Sequence, residues 1–110
     1  MPTATYKVLA QSAPSATTAT DIYTVAASTQ VVISTITVCN RAATATTYRI
    51  AIRPNAATLA NQHYVTYDAA VPANDTISLT IGITLDAADV VTVYAGTANL
   101  TFNLFGTEIA

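Results

Sequence analysis

The stretch NLTFNLFGTEIA, residues 99–110, sets Leu100, Phe102 and Leu104 at every second position, with Thr101, Asn103 and Phe105 between them. Side chains of an extended chain point alternately to its two faces, so this spacing predicts a strand with one buried face. Nothing in the stretch offers acid–base or nucleophilic chemistry. The same period recurs outward from it. In TTYRIAIRP (46–54), Tyr48, Ile50 and Ile52 share one face, and Arg49, Ala51 and Arg53 the other. In TISLTIGI (76–83), Ile77, Leu79, Ile81 and Ile83 alternate with Thr76, Ser78 and Thr80. This is the signature of antiparallel sheets covered on one side only.

Other segments are less regular. QVVISTITVCN (30–40) puts Val31 and Ile33 on one side but Ser34, Ile36 and Val38 on the other, which a bulge near Ser34 or burial of both faces would explain. ADVVTVYAG (88–96), HYVTYDAAV (63–71), TATYKVLAQ (3–11) and DIYTVAA (21–27) bring the count to about eight strands. AAST, NRAATA, PAND and LDAAD read as turns, because short Asn and Asp side chains bond back to the local backbone. PNAATLANQ (54–62) has room for one short helical turn. Strands at this spacing predict an all-β fold: a single antiparallel β-sandwich or jelly roll spanning 1–110, with 1–20 readable as an extended N-terminal arm.

Composition narrows the function. Charged residues make up 9% of the 110, far below the usual quarter, while hydrophobic residues reach 52%. The surface must then be built largely from Thr, Ser, Asn and Ala, which suits contact with other protein. Only Lys7, Arg41, Arg49 and Arg53 are basic and the net charge is −2, so nucleic acid is not an expected partner. No apolar run is long enough to span a bilayer and no basic amphipathic segment lies ready for a membrane surface. The opening MPTATYKVLAQ lacks the order of a secretory signal, and Cys39, the single cysteine, excludes an intrachain disulfide.

Candidate chemistry is sparse. His63 stands alone, without His, Cys or Glu at ligand spacing, and reads as a half-exposed strand residue rather than a base or metal ligand. Cys39 reads as a small apolar strand residue. Asp75, Asp86 and Asp89 lack the dense oxygen spacing of a calcium loop and are expected to organise turns. No serine sits in a nucleophile elbow. An enzyme is not expected, nor are cofactors or metals. Arg49 and Arg53, with Arg41 upstream, could form an interface patch for acidic groups on a neighbour, or an ordinary solvated edge. The six tyrosines could stack on sugars, although core or interface packing is the commoner use.

Three phrases, TVCNRAATATTYRI, PANDTISLTIGITLDAADVVTVYA and FNLFGTEI, together with QSAPSATTATDIYTV, resemble small virion structural proteins of tailed bacteriophages across about Leu9 to Ile109. The resemblance implies a compact β-sandwich, repeated on the particle as a homo-oligomer, with a trimer favoured, and made in the host bacterial cytoplasm. It transfers no catalytic residues. The expected role is a head decoration (cement) protein bound to the major capsid protein or other virion proteins. Contacts would come from Arg41, Arg49 and Arg53 and from Tyr6 and Lys7 in the N-terminal segment. The alternative is a tail, baseplate or fibre component, with receptor or carbohydrate binding.

Overall fold

The computed structural model describes residues 2–110. Nine strands are present among them: β1 (Ala4–Ser12), β2 (Thr20–Thr24), β3 (Gln30–Asn40), β4 (Thr46–Arg53), β5 (Tyr64–Val71), β6 (Thr76–Leu79), β7 (Ile83–Leu85), β8 (Val90–Ala95) and β9 (Leu100–Ile109). They form two antiparallel sheets. Sheet A has the order β1-β9-β3-β6, with β7 also on β3, and sheet B has β2-β8-β4-β5.

The order has a simple origin. The chain doubles back around residues 54–63, so β4 pairs with β5, β3 with β6 and β7, β2 with β8, and β1 with β9. That long two-stranded ribbon then wraps on itself, and the wrap adds the β3–β9 and β4–β8 pairings. With β6 and β7 taken as one interrupted strand, this is the eight-stranded jelly roll, the form of β-sandwich expected above.

The alternation in 99–110 places the core. Leu100, Phe102 and Leu104 are fully buried, and so is their counterpart Ile50 on β4. Tyr48 meets Phe102 edge-on across the two layers, with ring centroids 6.4 Å apart. Such a pair adds roughly 0.5–1.5 kcal/mol beyond the area it buries.

Of the two explanations for the phase break in residues 30–40, the bulge holds. The β3–β9 register shifts between Ile33 and Thr35, and the Ser34 hydroxyl donates to the Phe105 carbonyl at 3.1 Å. Opposite this bulge the expected single strand 76–83 divides. Ile77, Leu79 and Ile83 pack on the core, but Thr80, Ile81 and Gly82 loop out between β6 and β7. Gly82 takes φ +62°, a left-handed turn that ends the strand, and leaves Ile81 49% exposed rather than inward.

The expected short helical turn is two 3₁₀ turns, 54–56 and 61–63. His63 closes the second. It is buried rather than half-exposed, because its Nδ1 turns back to accept from the Ala60 N–H at 3.0 Å. Residues 1–20, readable as an arm, contain β1, an extended strand laid along β9 from Ala4 to Ser12.

Candidate interaction surfaces

Each sheet has an outer face, and the two are built differently. On sheet B, Arg49, Ala51 and Arg53 of β4 point outward beside Tyr94, Thr92 and Val90 of β8. Residues 54–63 fold back over this face, since Ala51 and Thr92 are nonetheless buried. Arg53 ties three strands together. Its Nε donates to Thr92 Oγ1 (3.0 Å) and its Nη2 to Asp21 Oδ2 (2.8 Å), while Thr92 donates to Asp21 Oδ1 (2.8 Å). Its Nη1 reaches the Ala57 carbonyl at 3.1 Å and pins the covering segment.

Arg49 is held still more completely. Its guanidinium lies between the rings of Tyr67 (4.1 Å) and Tyr94 (4.3 Å), and its Nε donates to Asp68 Oδ1 at 2.7 Å. The planar, weakly hydrated fork suits this stacking as an ammonium would not. A bulge in β5 makes the contact: only Arg49 separates Tyr48 and Ile50, whereas Tyr67 and Asp68 separate their partners Ala69 and Thr66. Asp68 absorbs the kink at φ 50°, which its short polar side chain tolerates. The bond to Asp68 raises the Arg49 pKa further above its already high range. Tyr67 also meets Tyr64 edge-on at 4.9 Å, and these two rings with Asn61 line an open cleft of about 400 Å³.

Sheet A is the opposite case. Lys7 and Glu108 are the only charged residues in its five strands. Register puts both on the inner side, opposite Gly106 and Val31. There Lys7 Nζ bonds Glu108 Oε1 (3.0 Å) and the Tyr23 hydroxyl of sheet B donates to Glu108 Oε2 (2.6 Å). These two bonds hold the Glu108 carboxyl below the usual carboxylate range. Burial, then the bond to Glu108, pushes the Tyr23 phenol well above its ordinary value.

Among the described residues, the outer face of sheet A therefore carries no charged side chain. Its cross-strand rows are Tyr6–Thr107–Val32 and Val8–Phe105–Thr35, then the polar row Gln11–Asn103–Thr37–Ser78. Tyr6 is 85% exposed, Val8 47% and Val32 38%, and Phe105 is half-buried. Large apolar side chains standing free together make this face a candidate interaction surface.

The five residues expected at an interface thus separate. Arg49 and Arg53 share a face and meet acidic groups of this chain, Asp68 and Asp21. Arg41 is exposed on another loop, donating to the Ala98 carbonyl at 3.1 Å. Lys7 is paired on the inner side. Only Tyr6 stands on the charge-free face. Val8, Val32 and Phe105 were missed there, although Phe105 among Thr101 and Asn103 on the polar side of the closing strand was a visible signal.

The remaining candidates have local roles. Asp75 and Asp86 accept from the next N–H, of Thr76 and Ala87, both at 2.8 Å. Asp89 accepts from Asp86 and Asn55. Buried Asn40 organises its turn by accepting from Ala42 N and donating to the Thr44 carbonyl. Cys39 is free and half-buried. Among the described residues no three His, Cys, Asp or Glu side chains gather as metal ligands would. No protein-family profile, curated protein or solved structure matches the chain.

Proposed function

We propose that this protein is a non-catalytic structural component of a bacteriophage virion, a decoration protein that cements the head lattice through contacts with the major capsid protein and with its own copies. The observation that carries this reading is the uncharged outer face of sheet A, on a chain whose other charges are largely paired internally. Three of its four basic side chains are in ion pairs within the molecule. Such a surface favours shape-matched protein contact over electrostatic capture of nucleic acid. The jelly roll is an architecture that capsid domains use, although the fold alone implies no function.

The mechanism is mass action. A protein that binds the closed shell and not its loosened forms stabilises the shell by an amount set by its concentration relative to its dissociation constant. Threonine, valine and alanine lose little rotamer freedom on docking, so the ordering cost is low.

Mass-spectrometric copy counting on purified particles, with cryo-electron microscopy to place the protein, tests the reading. Hundreds of copies on the head are expected, and stripped heads should release DNA at a lower temperature than decorated ones. A handful of copies near the tail would refute the cement role.

One observation favours a second reading, a carbohydrate-binding component of the tail or fibre. The cleft of Asn61, Tyr64 and Tyr67 sets an exposed ring beside an amide, a combination that can stack on and bond to a sugar. Specific binding of the isolated protein on a glycan array would support it over cement.

A further inference from the structure

The uncharged face of sheet A raises the question of what covers it. We infer that it is occupied by the same face of a second copy, so that two sandwiches stack sheet A against sheet A about a twofold axis. The inference deepens the structural reading above and names the partner of that one surface.

Three observations converge on a second copy. The first is charge. In a twofold interface each residue near the axis approaches its own equivalent, so any charge there would meet a like charge. Sheet B's outer face, with Arg49, Arg53, Asp21 and Asp68, would bring such charges together. Sheet A's has none to oppose, and none to desolvate. A partner of different sequence imposes no such requirement.

The second is area. Four strand widths at about 4.8 Å, along strands of about ten residues at about 3.3 Å each, give a flat footprint of roughly 600 Å². With side chains standing above it, the face approaches the roughly 800 Å² per partner of a stable protein–protein contact. Sheets also pack well face to face, at a spacing of about 10 Å.

The third is the condition of the edges. Association by continuing a sheet needs a regular free edge. The β1 edge is bulged after Val8, and Lys7 stands on its inner side. The opposite edge is broken between β6 and β7 at Gly82. In sheet B, β2 is irregular between Asp21 and Tyr23, and β5 carries the bulge at Tyr67 and Asp68. With each edge interrupted, the open face is the surface left for copy-to-copy contact. A face meeting itself closes as a pair, whereas a ring of three needs two different complementary patches. In the pair, the sheet B faces and the ends of both sandwiches remain free for the shell.

The test is the mass of the purified full chain in solution, by sedimentation equilibrium across a concentration series. Two copies are expected. Val32→Asp and Tyr6→Asp, at exposed positions with little to lose in folding, should each weaken the pair on the order of 100-fold, because each buries two uncompensated carboxylates in an uncharged interface. Tyr67→Asp on sheet B should leave the pair unchanged. Circular dichroism and melting of the isolated variants confirm that they are folded. A mass of one or of three copies, or a dimer indifferent to both sheet A variants, overturns the inference. A monomer that still decorates particles would refute the pairing alone, whereas a sheet A dimer absent from particles would refute the virion role alone.

Discussion

The inner faces of the two sheets are alike and their outer faces are not. Inside, both alternate large apolar side chains to near-zero exposure, as Leu104 on sheet A and Ile50 on sheet B show. Outside, sheet B pairs four of the chain's ten charged residues with one another. Arg49 and Arg53 close salt bridges to Asp68 and Asp21, and residues 54–63 are drawn over them. Sheet A is left bare, threonine-rich and uncharged. The difference teaches that a chain with ten charged residues does not distribute them as a solvating coat. It uses them as ties where it folds onto itself, and omits them from the outer face of sheet A.

The largest effect should come from the shared interior. Phe102→Ala removes a fully buried ring that faces Tyr48 across the layers, and is expected to cost about 3–5 kcal/mol in denaturant unfolding. Ile50→Ala, its counterpart in sheet B, should cost about 2–5 kcal/mol. A large loss in one and not the other would mean that the two inner faces are not equivalent.

Next is the tie between the sheets. Tyr23→Phe deletes the hydroxyl that donates to Glu108 and should lose about 1 kcal/mol at neutral pH. The sign of its pH dependence follows from the shifts. The Glu108 pKa is lowered on folding, so its contribution is complete above the ordinary carboxylate value of about 4.3 and is lost as pH falls through the lower folded value. The Tyr23 pKa is raised, so its contribution persists below about 10 and is lost only as pH rises beyond that. The gap between wild type and variant should therefore be constant through neutrality and close in acid. A gap that widened in acid would contradict the assignment.

A smaller effect separates the outer faces. Arg49→Lys keeps the charge but cannot lie flat between Tyr67 and Tyr94 or bond Asp68 through a fork, so it should lower the melting temperature. Val32→Thr on sheet A should leave the melting temperature of the dissociated single chain, measured at high dilution, unchanged. Equal responses would remove the contrast between an internally braced face and a free one.

The smallest effect should be a gain. Thr66 Oγ1 is buried on the inner side opposite Ile50 without a hydrogen-bond partner among the described residues. Thr66→Val keeps the shape and removes the unpaired hydroxyl, and should raise stability by up to about 1 kcal/mol in the same unfolding assay.

Much of the fold was legible in the sequence because alternation is a local property. Two residues apart along a strand means one face, whatever lies across from it, so Leu100, Phe102, Leu104, Tyr48 and Ile50 could be placed inward unaided. Asp75, Asp86 and the bonds of Asn40 to Ala42 and Thr44 were equally legible, since these reach only a few residues. The interface arginines were not. Arg49 and Arg53 read as an interface patch or a solvated edge, because their partners Asp68 and Asp21 lie 19 and 32 residues away. The Tyr23–Glu108 bond spans 85 residues and left no mark on either neighbourhood. Ile81 was misplaced because the break at Gly82 answers a bulge in a different strand.

By itself, then, the chain determined that it is all-β, which side of most strands is apolar, where it turns, and that charge would be scarce. Those are consequences of backbone geometry and side-chain type, which act within a few residues. Only the tertiary structure decided the strand order, the internal pairing of three basic side chains and the emptiness of sheet A's outer face. These depend on which distant strands become neighbours as the ribbon wraps, and no local spacing encodes that.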